Sequence, residues 1–279
     1  MTLRHIVLLA LAMLLPPAVA PPVAWAAAPQ TKAPFALLID DATGAVLFAK
    51  NADASMSPAS TTKILTAEIV FREIAEGRLM LDDAATISSR AAREGDAESG
   101  GSSMFAQANS RVRIEDLLRG LLITSGNDAA IALAERVAGS EEAFVALMNR
   151  RARELGMAHS HFTNAWGEGG GGQKVTPRDM ARLAAYVIAT YPQFYRYFGE
   201  AEFTWNGIAQ HNRNPLLTMN IGADGVKTGH LARSGFGLVG SAVHNGHRLI
   251  LVINGTRSEG ERASEALKLL EWGFGALAP

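Results

Sequence analysis

The sequence predicts an α/β (α+β) chain in which one antiparallel sheet takes strands from both chain ends and a helical insertion packs beside it. Three observations predict it. Apolar runs that favour strands lie early and late in the chain. The stretch from residue 60 to about 190 carries mostly helical periodicity. Turn and cap residues sit where one pattern gives way to the next.

In order, "FALLID" and "AVLFAK" flank Asp41-Ala42-Thr43-Gly44 and read as a hairpin. "SPASTTKILTA", residues 57–67, opens a helix whose apolar residues recur at Ile64, Leu65, Ile69 and Val70. "IEDLLRGLLI", "NDAAIALAERVAG" and "SEEAFVALMNRRARELG" have helical spacing, the last with Ser140 as N-cap and Gly156 past its end. "TPRDMARLAAYVIATYP" starts with Thr176 as cap and Pro177 at the first helical position. Strands return after residue 200 as "FTW", "GVKTG", "FGLVGSAVH" and "RLILVINGT", with Asn245-Gly246 turning between the last two. "SEGERASEALKLLEWGF" closes the chain as a helix with Ser258 and Glu261 as a capping box. Its residues Ala263, Ala266, Leu267, Leu270 and Phe274 are spaced to pack on the sheet.

Residues 1–26 read as a secretory signal: Arg4 and His5, the apolar run "IVLLALAMLL", then Ala24-Trp25-Ala26 as cleavage site. The run is too short to span a bilayer, and prolines at 16, 17, 21 and 22 interrupt the stretch after it. Residues 27–279 then form a single domain, expected in the periplasm or outside the cell. The chain has 26 basic and 27 acidic residues and a net charge of −1, which gives no reason to expect nucleic acid or an anionic membrane surface. It has no cysteine, which excludes disulfides, cysteine nucleophiles and thiolate metal sites. His159 and His161 lack an H-E-x-x-H frame, so neither metal nor cofactor is expected.

Ser60 and Lys63 form S-x-x-K at the helix start, where the helix dipole disfavours a cation. About one such match is expected by accident in a chain this long. "SGN" at Ser125–Asn127 and "KTG" at Lys227–Gly229 come later, on a loop and a strand. Each alone could be a capping turn or a polar strand end. In this order they match the trio of penicillin-binding proteins and class A β-lactamases. The chemistry accounts for the spacing. A serine hydroxyl needs a base. Residues three apart share a helix face, so Lys63 reaches Ser60. Lysine acts as a base only when neutral, and burial, the dipole and Lys227 as second cation all favour that form. A place unfavourable to charged lysine thus favours a neutral one. Ser125 is placed to pass a proton to the leaving amine, and Asn127 to hold Lys63 and the substrate amide. The backbone N–H groups of Ser60 and His230 are the candidate oxyanion donors. No G-x-S-x-G elbow and no phosphate-loop frame competes.

From about residue 33 to 275 the sequence resembles the low-molecular-mass penicillin-binding proteins, in particular the serine D-alanyl-D-alanine carboxypeptidases of peptidase family S11. Beyond the trio, "HFTN", "TPRDMA", "FTWNGI", "HNRNPLL", "DGVKTGH" and "LLEWGF" are similar to family blocks in the right order. The resemblance implies the penicillin-binding protein / β-lactamase-like fold. It implies removal of the terminal D-alanine from peptidoglycan stem pentapeptides through a serine acyl-enzyme, with β-lactams acylating the same serine. It also implies that Arg213 helps Lys227 and Thr228 hold the substrate's terminal carboxylate, with Gly229 and His230 also expected to bind substrate. Three departures stand out. "AWGEGGGG" replaces the family's "HGL"-like turn. "REGDAESGGSSMFAQ", the expected deacylation-tuning loop, holds no assignable deacylating residue. No second β-rich domain or amphipathic anchor helix comes after the last helix, so no stable membrane anchor is expected. The rival functions are a D,D-endopeptidase acting on crosslinks, a β-lactamase and a non-catalytic cell-wall binding protein.

Overall fold

The computed structural model describes residues 27–95, 101–167 and 172–277. The signal expected at 1–26, residues 96–100 of the loop expected to tune deacylation, 168–171 of the glycine run and the last two residues lie outside them.

The described chain begins with β1 (Phe35–Asp40) and β2 (Val46–Lys50). A 3-10 turn, Ala59–Thr62, leads into α1 (Lys63–Ala75). Then come β3 (Ala84–Thr86), α2 (Ser89–Glu94), β4 (Arg111–Arg113), α3 (Ile114–Leu122), α4 (Asn127–Ala138) and α5 (Glu141–Glu154). Next are α6 (Pro177–Thr190), α7 (Pro192–Tyr195), β5 (Glu202–Trp205) and β6 (Ile208–His211). β7 (Ala223–Leu231), β8 (Gly235–His244), β9 (His247–Thr256) and α8 (Glu259–Leu277) complete it.

The main sheet has the order β2-β1-β9-β8-β7 and every neighbour is antiparallel. Chain ends meet at its centre, where Leu38 pairs with Leu251 and Phe35 with Asn254. Alternation along β9 explains why "LILVI" reads as an unbroken apolar run. Ile250 and Val252 face the large core against the helical insertion. Leu249, Leu251 and Ile253 face a smaller core under α8. A strand covered on both faces has no polar side to show. At the β8–β9 turn both Asn245 and Gly246 have positive φ, as a tight hairpin requires.

α1 runs through the insertion with every residue from Lys63 to Phe71 buried. Its buried Glu68 is held by Arg151 of α5, with Nη2–Oε1 at 2.7 Å and Nε–Oε1 at 3.0 Å. Burial pushes the Glu68 pKa up, and Arg151 opposes that rise.

Local expectations hold at two helix starts, where Ser140 accepts from Ala143 N and Thr176 from Asp179 N. Four differ. Ser60 lies in the 3-10 turn, and α1 proper starts at Lys63. The capping box of α8 is half formed: Ser258 accepts from Glu261 N, but Glu261 accepts from Arg257 N, one residue before the cap. The buried face of α8 is Arg262, Glu265, Ala266, Leu269, Leu270 and Gly273, whereas Ala263, Leu267 and Phe274 are only half-buried. Gly273 sets that rotation, because a Cβ there would meet Leu38 Cδ2 at 2.6 Å. Finally, the helical middle contains the ribbon β3–β4, and "FTW" acquires a partner strand in β6.

Candidate active site

The cleft forms where the helical insertion meets β7, the edge strand of the sheet. Ser60 stands in the 3-10 turn opposite that strand. Gly229 of β7 is packed so closely that a Cβ there would lie 3.0 Å from Pro58 O and 3.2 Å from Ser60 N. Lys63, one turn on and fully buried, reaches Ser60 Oγ at 3.1 Å. Its Nζ also meets Asn127 Oδ1 at 2.8 Å and the Trp166 carbonyl at 2.7 Å. A neutral amine has two hydrogens and one lone pair. Nζ donates to all three oxygens; once it has lost a proton, its two remaining hydrogens can stay on the two carbonyl oxygens and the lone pair can face the Ser60 hydroxyl.

Ser125 occupies the link between α3 and α4 with φ +64°, and Asn127 is the first residue of α4. Ser125 Oγ and Asn127 Nδ2 are both buried without a hydrogen-bond partner among the described residues. Buried polar atoms of this kind are uncommon and call for a reason. Here both belong to the Ser125–Asn127 turn, whose Asn127 Oδ1 meets Lys63.

Lys227 is buried, and its Nζ makes a long contact of 3.3 Å to the Thr228 carbonyl. Burial first, then repulsion from Lys63, Arg213 and Arg262, lowers its pKa well below the usual lysine value. Thr228, Gly229 and His230 line the cleft beside Ser60, Ser125 and Arg213, in a cavity of about 350 Å³. The His230 ring stacks on Phe236, with centroids 3.8 Å apart. Arg213 donates to Ser102 Oγ at 2.7 Å. Its neighbours brace it: Asn212 donates to the carbonyls of Phe198 and Glu200, and Asn214 Oδ1 accepts from Leu216 N.

The D-alanyl-D-alanine carboxypeptidase family, peptidase S11, matches residues 23–258. The chain belongs to that family. The D-alanyl-D-alanine carboxypeptidase DacD of Salmonella typhimurium is 42% identical over 85% of this chain and 61% of its own length. Its counterpart in Escherichia coli is also 42% identical, over 88% and 64%. The chain thus spans under two thirds of the length of these relatives. Penicillin binding protein 5 from Haemophilus influenzae superposes with TM-score 0.86 at 38% identity, covering 90% of this chain and 73% of that one. The Streptomyces K15 DD-transpeptidase superposes with TM-score 0.83 at 29% identity, covering 90% of this chain and all of the other. The fold is that of the penicillin-binding proteins.

Within this family arrangement, Ser60, Lys63 and Asn127 are joined by hydrogen bonds, and Ser125, Arg213, Thr228, Gly229 and His230 share the cleft with Ser60. His159 and His161 lie outside it. Among the described residues no three His, Asp or Glu converge on one point.

Three participants are invisible in the sequence. The Trp166 carbonyl is a backbone atom, which no residue type advertises. Ser102 belongs to the stretch expected to tune deacylation, in which the sequence singles out no residue. Arg262, in the first turn of α8, lines the cleft while only 4% exposed, its Nε without a partner among the described residues. Burial and Arg213 lower its pKa, against a rise from Glu259. An arginine after "SEGE" reads as a solvated charge, and only the packing of α8 against Phe236 buries it.

Proposed function

We propose that this protein is an exported serine D,D-carboxypeptidase that removes the terminal D-alanine from peptidoglycan stem pentapeptides. The observation that carries the reading is the Lys63 amine, 3.1 Å from Ser60 Oγ and held by two carbonyl oxygens. Ser60 Oγ attacks the scissile carbonyl carbon and its proton passes to Lys63 Nζ. The backbone N–H groups of Ser60 and His230 receive the oxyanion. Ser125 relays the proton to the departing D-alanine nitrogen, the C–N bond breaks, and water later releases the acyl group from Ser60. Asn127 Nδ2 is free to donate to the substrate amide. Arg213, Arg262, Lys227 and Thr228 hold the terminal carboxylate, and the presence of several cations around one cleft suits a free acid. The step requires neither metal nor cofactor. β-Lactams, which carry a strained amide and a carboxylate, would acylate the same serine. Export, with residues 27–279 as the catalytic unit, rests on the signal read at 1–26. Among the described residues no helix is long and apolar enough to cross a membrane.

The test is mass spectrometry of the protein mixed with benzylpenicillin, together with a D-alanine release assay on purified pentapeptide. The expected result is one covalent adduct and release of one D-alanine, both abolished in Ser60→Ala. An adduct of normal yield on that variant would refute the assignment. Crosslinked muropeptides in parallel would reveal an endopeptidase. A second reading, transfer of the acyl group to an amine, rests on the likeness to a protein described as a DD-transpeptidase. Adding a glycyl amine acceptor distinguishes it, since transfer yields a new peptide in place of the tetrapeptide.

A further inference from the structure

Asp128, directly after the SGN turn, is a fully buried acid that the proposed reaction does not use. Its carboxylate faces back toward residues 103–106. Oδ2 accepts from Ser103 Oγ at 2.9 Å and from Ala106 N at 3.1 Å. Met104 N lies 3.1 Å from both oxygens, and Oδ1 accepts from Ala129 N at 2.9 Å. The amides on either side of Phe105 are therefore both tied to one side chain. Phe105 itself has φ +65°, a region costly for a bulky residue, and its ring is exposed. Strain of this kind persists only where surrounding contacts over-determine the backbone.

The clasp continues into the cleft. Ser102, the residue before the clasped segment, accepts from Asn127 N through its carbonyl at 2.7 Å and from Arg213 Nη1 through its hydroxyl at 2.7 Å. Glycines make room for it. A Cβ on Gly126 would sit 2.6 Å from Asp128 Oδ1, and one on Gly120 would collide with Met104 Sδ.

We infer that Asp128 is a positioning residue for the carboxylate clamp: it fixes residues 103–106, and through Ser102 it sets where the Arg213 guanidinium stands relative to Ser60. The inference rests on the carboxypeptidase reading, in which Arg213 meets the substrate carboxylate. Asparagine cannot replace Asp128, because it offers one acceptor oxygen and turns an NH2 toward N–H donors.

The experiment compares kcat/KM for an N-acylated peptide ending in D-alanyl-D-alanine with that for the same peptide as its C-terminal amide. Losing a charge-assisted hydrogen bond costs the acid its advantage by roughly ten- to a hundredfold, so Arg213→Ala should collapse the acid-to-amide ratio. Asp128→Asn and Ser102→Ala are each expected to lower the same ratio by about fivefold or more, chiefly through KM for the acid, as displacement of a positioned group does. A purely structural role would lower both substrates together and leave the ratio intact. If Asp128→Asn does not fold, Ser102→Ala and Ser103→Ala decide, since they cut the chain of contacts on either side. A ratio within twofold of wild type in those variants, with Arg213→Ala collapsing it, overturns the positioning inference alone. A ratio unchanged in Arg213→Ala overturns the carboxylate reading beneath it.

Discussion

In the proposed reaction Lys63 is the base, and its surroundings place its amine against the Ser60 hydroxyl. Two carbonyl oxygens, Asn127 Oδ1 and Trp166 O, accept its hydrogens while Ser60 Oγ stands at 3.1 Å. Arginine keeps the charge, but it stays protonated in proteins and has no lone pair to accept a proton. Lys63→Arg is therefore expected to lower penicillin acylation by on the order of a hundredfold or more, the usual range for losing a general base. Stopped-flow labelling checks this, and a rate within a few-fold of wild type would require another base. Lys227 gives a separate prediction from its depressed pKa. Below that value it would be a cation in the proposed clamp, and above it the clamp would lose one positive charge. A bound carboxylate favours the charged form, so binding draws a proton onto Lys227. The expected outcome is that KM for the free-acid peptide rises as pH climbs through this lowered value, well under the usual 10.5 for lysine. KM for the amide should change much less. Parallel pH profiles for the two peptides would argue against Lys227 as a carboxylate partner.

Among the elements, β7 has little tolerance at Gly229, because it is an edge strand pressed on the turn that carries Ser60, the proposed nucleophile. A Cβ at Gly229 would come 3.0 Å from Pro58 O, 3.1 Å from Ala59 Cβ and 3.2 Å from Ser60 N. Strand or turn must then yield by a few tenths of an ångström. Gly229→Ala should slow acylation roughly tenfold, in keeping with the sensitivity of reacting groups to small displacements. Its thermal midpoint should move by only a few degrees. Unchanged acylation would mean that the strand gives way without disturbing Ser60. This element also shows what a sequence can disclose. "VKTGH" is legible because side chains with chemistry recur at a fixed spacing on a strand-like run, as are S-x-x-K and SGN. β3, β4, β5 and β6 are not fully legible, since strands of three or four residues hold too little alternation to register. Arg262 and Asp128 are hidden for another reason. Charged residues read as surface until tertiary packing buries them, and nothing local marks either position. The face of α8 differs from its apolar spacing because Gly273, with no apolar side chain, is the residue pressed against the sheet.

At the scale of the whole molecule, the catalytic cleft has no single supporting unit. Ser125 and Asn127 belong to the helical insertion, Lys227 and Thr228 to the sheet, and Ser60 to the turn between them. The sheet in turn depends on both chain ends, since β1 pairs with β9 across more than two hundred residues. β9 joins the two cores, with Ile250 and Val252 on one face and Leu249, Leu251 and Ile253 on the other. A defect in the smaller core should therefore lower the stability of the whole sheet, and with it that of the cleft. Leu251→Ala empties space between the sheet and α8, and such truncations cost about 2–5 kcal/mol. For a chain of this size each kcal/mol lowers the midpoint by roughly 2–4 °C, so a fall of roughly 4–20 °C is expected. Acylation well below the new midpoint should stay near wild type, because Leu251 itself does not line the cleft. Heating should then abolish penicillin labelling, far-UV ellipticity and tryptophan fluorescence together, since β9 carries both cores and β7 rests on β8. Labelling measured at each temperature alongside both optical signals tests this. If helical signal survived in a separate transition after labelling had vanished, the insertion would be folding on its own and β9 would not couple the two cores.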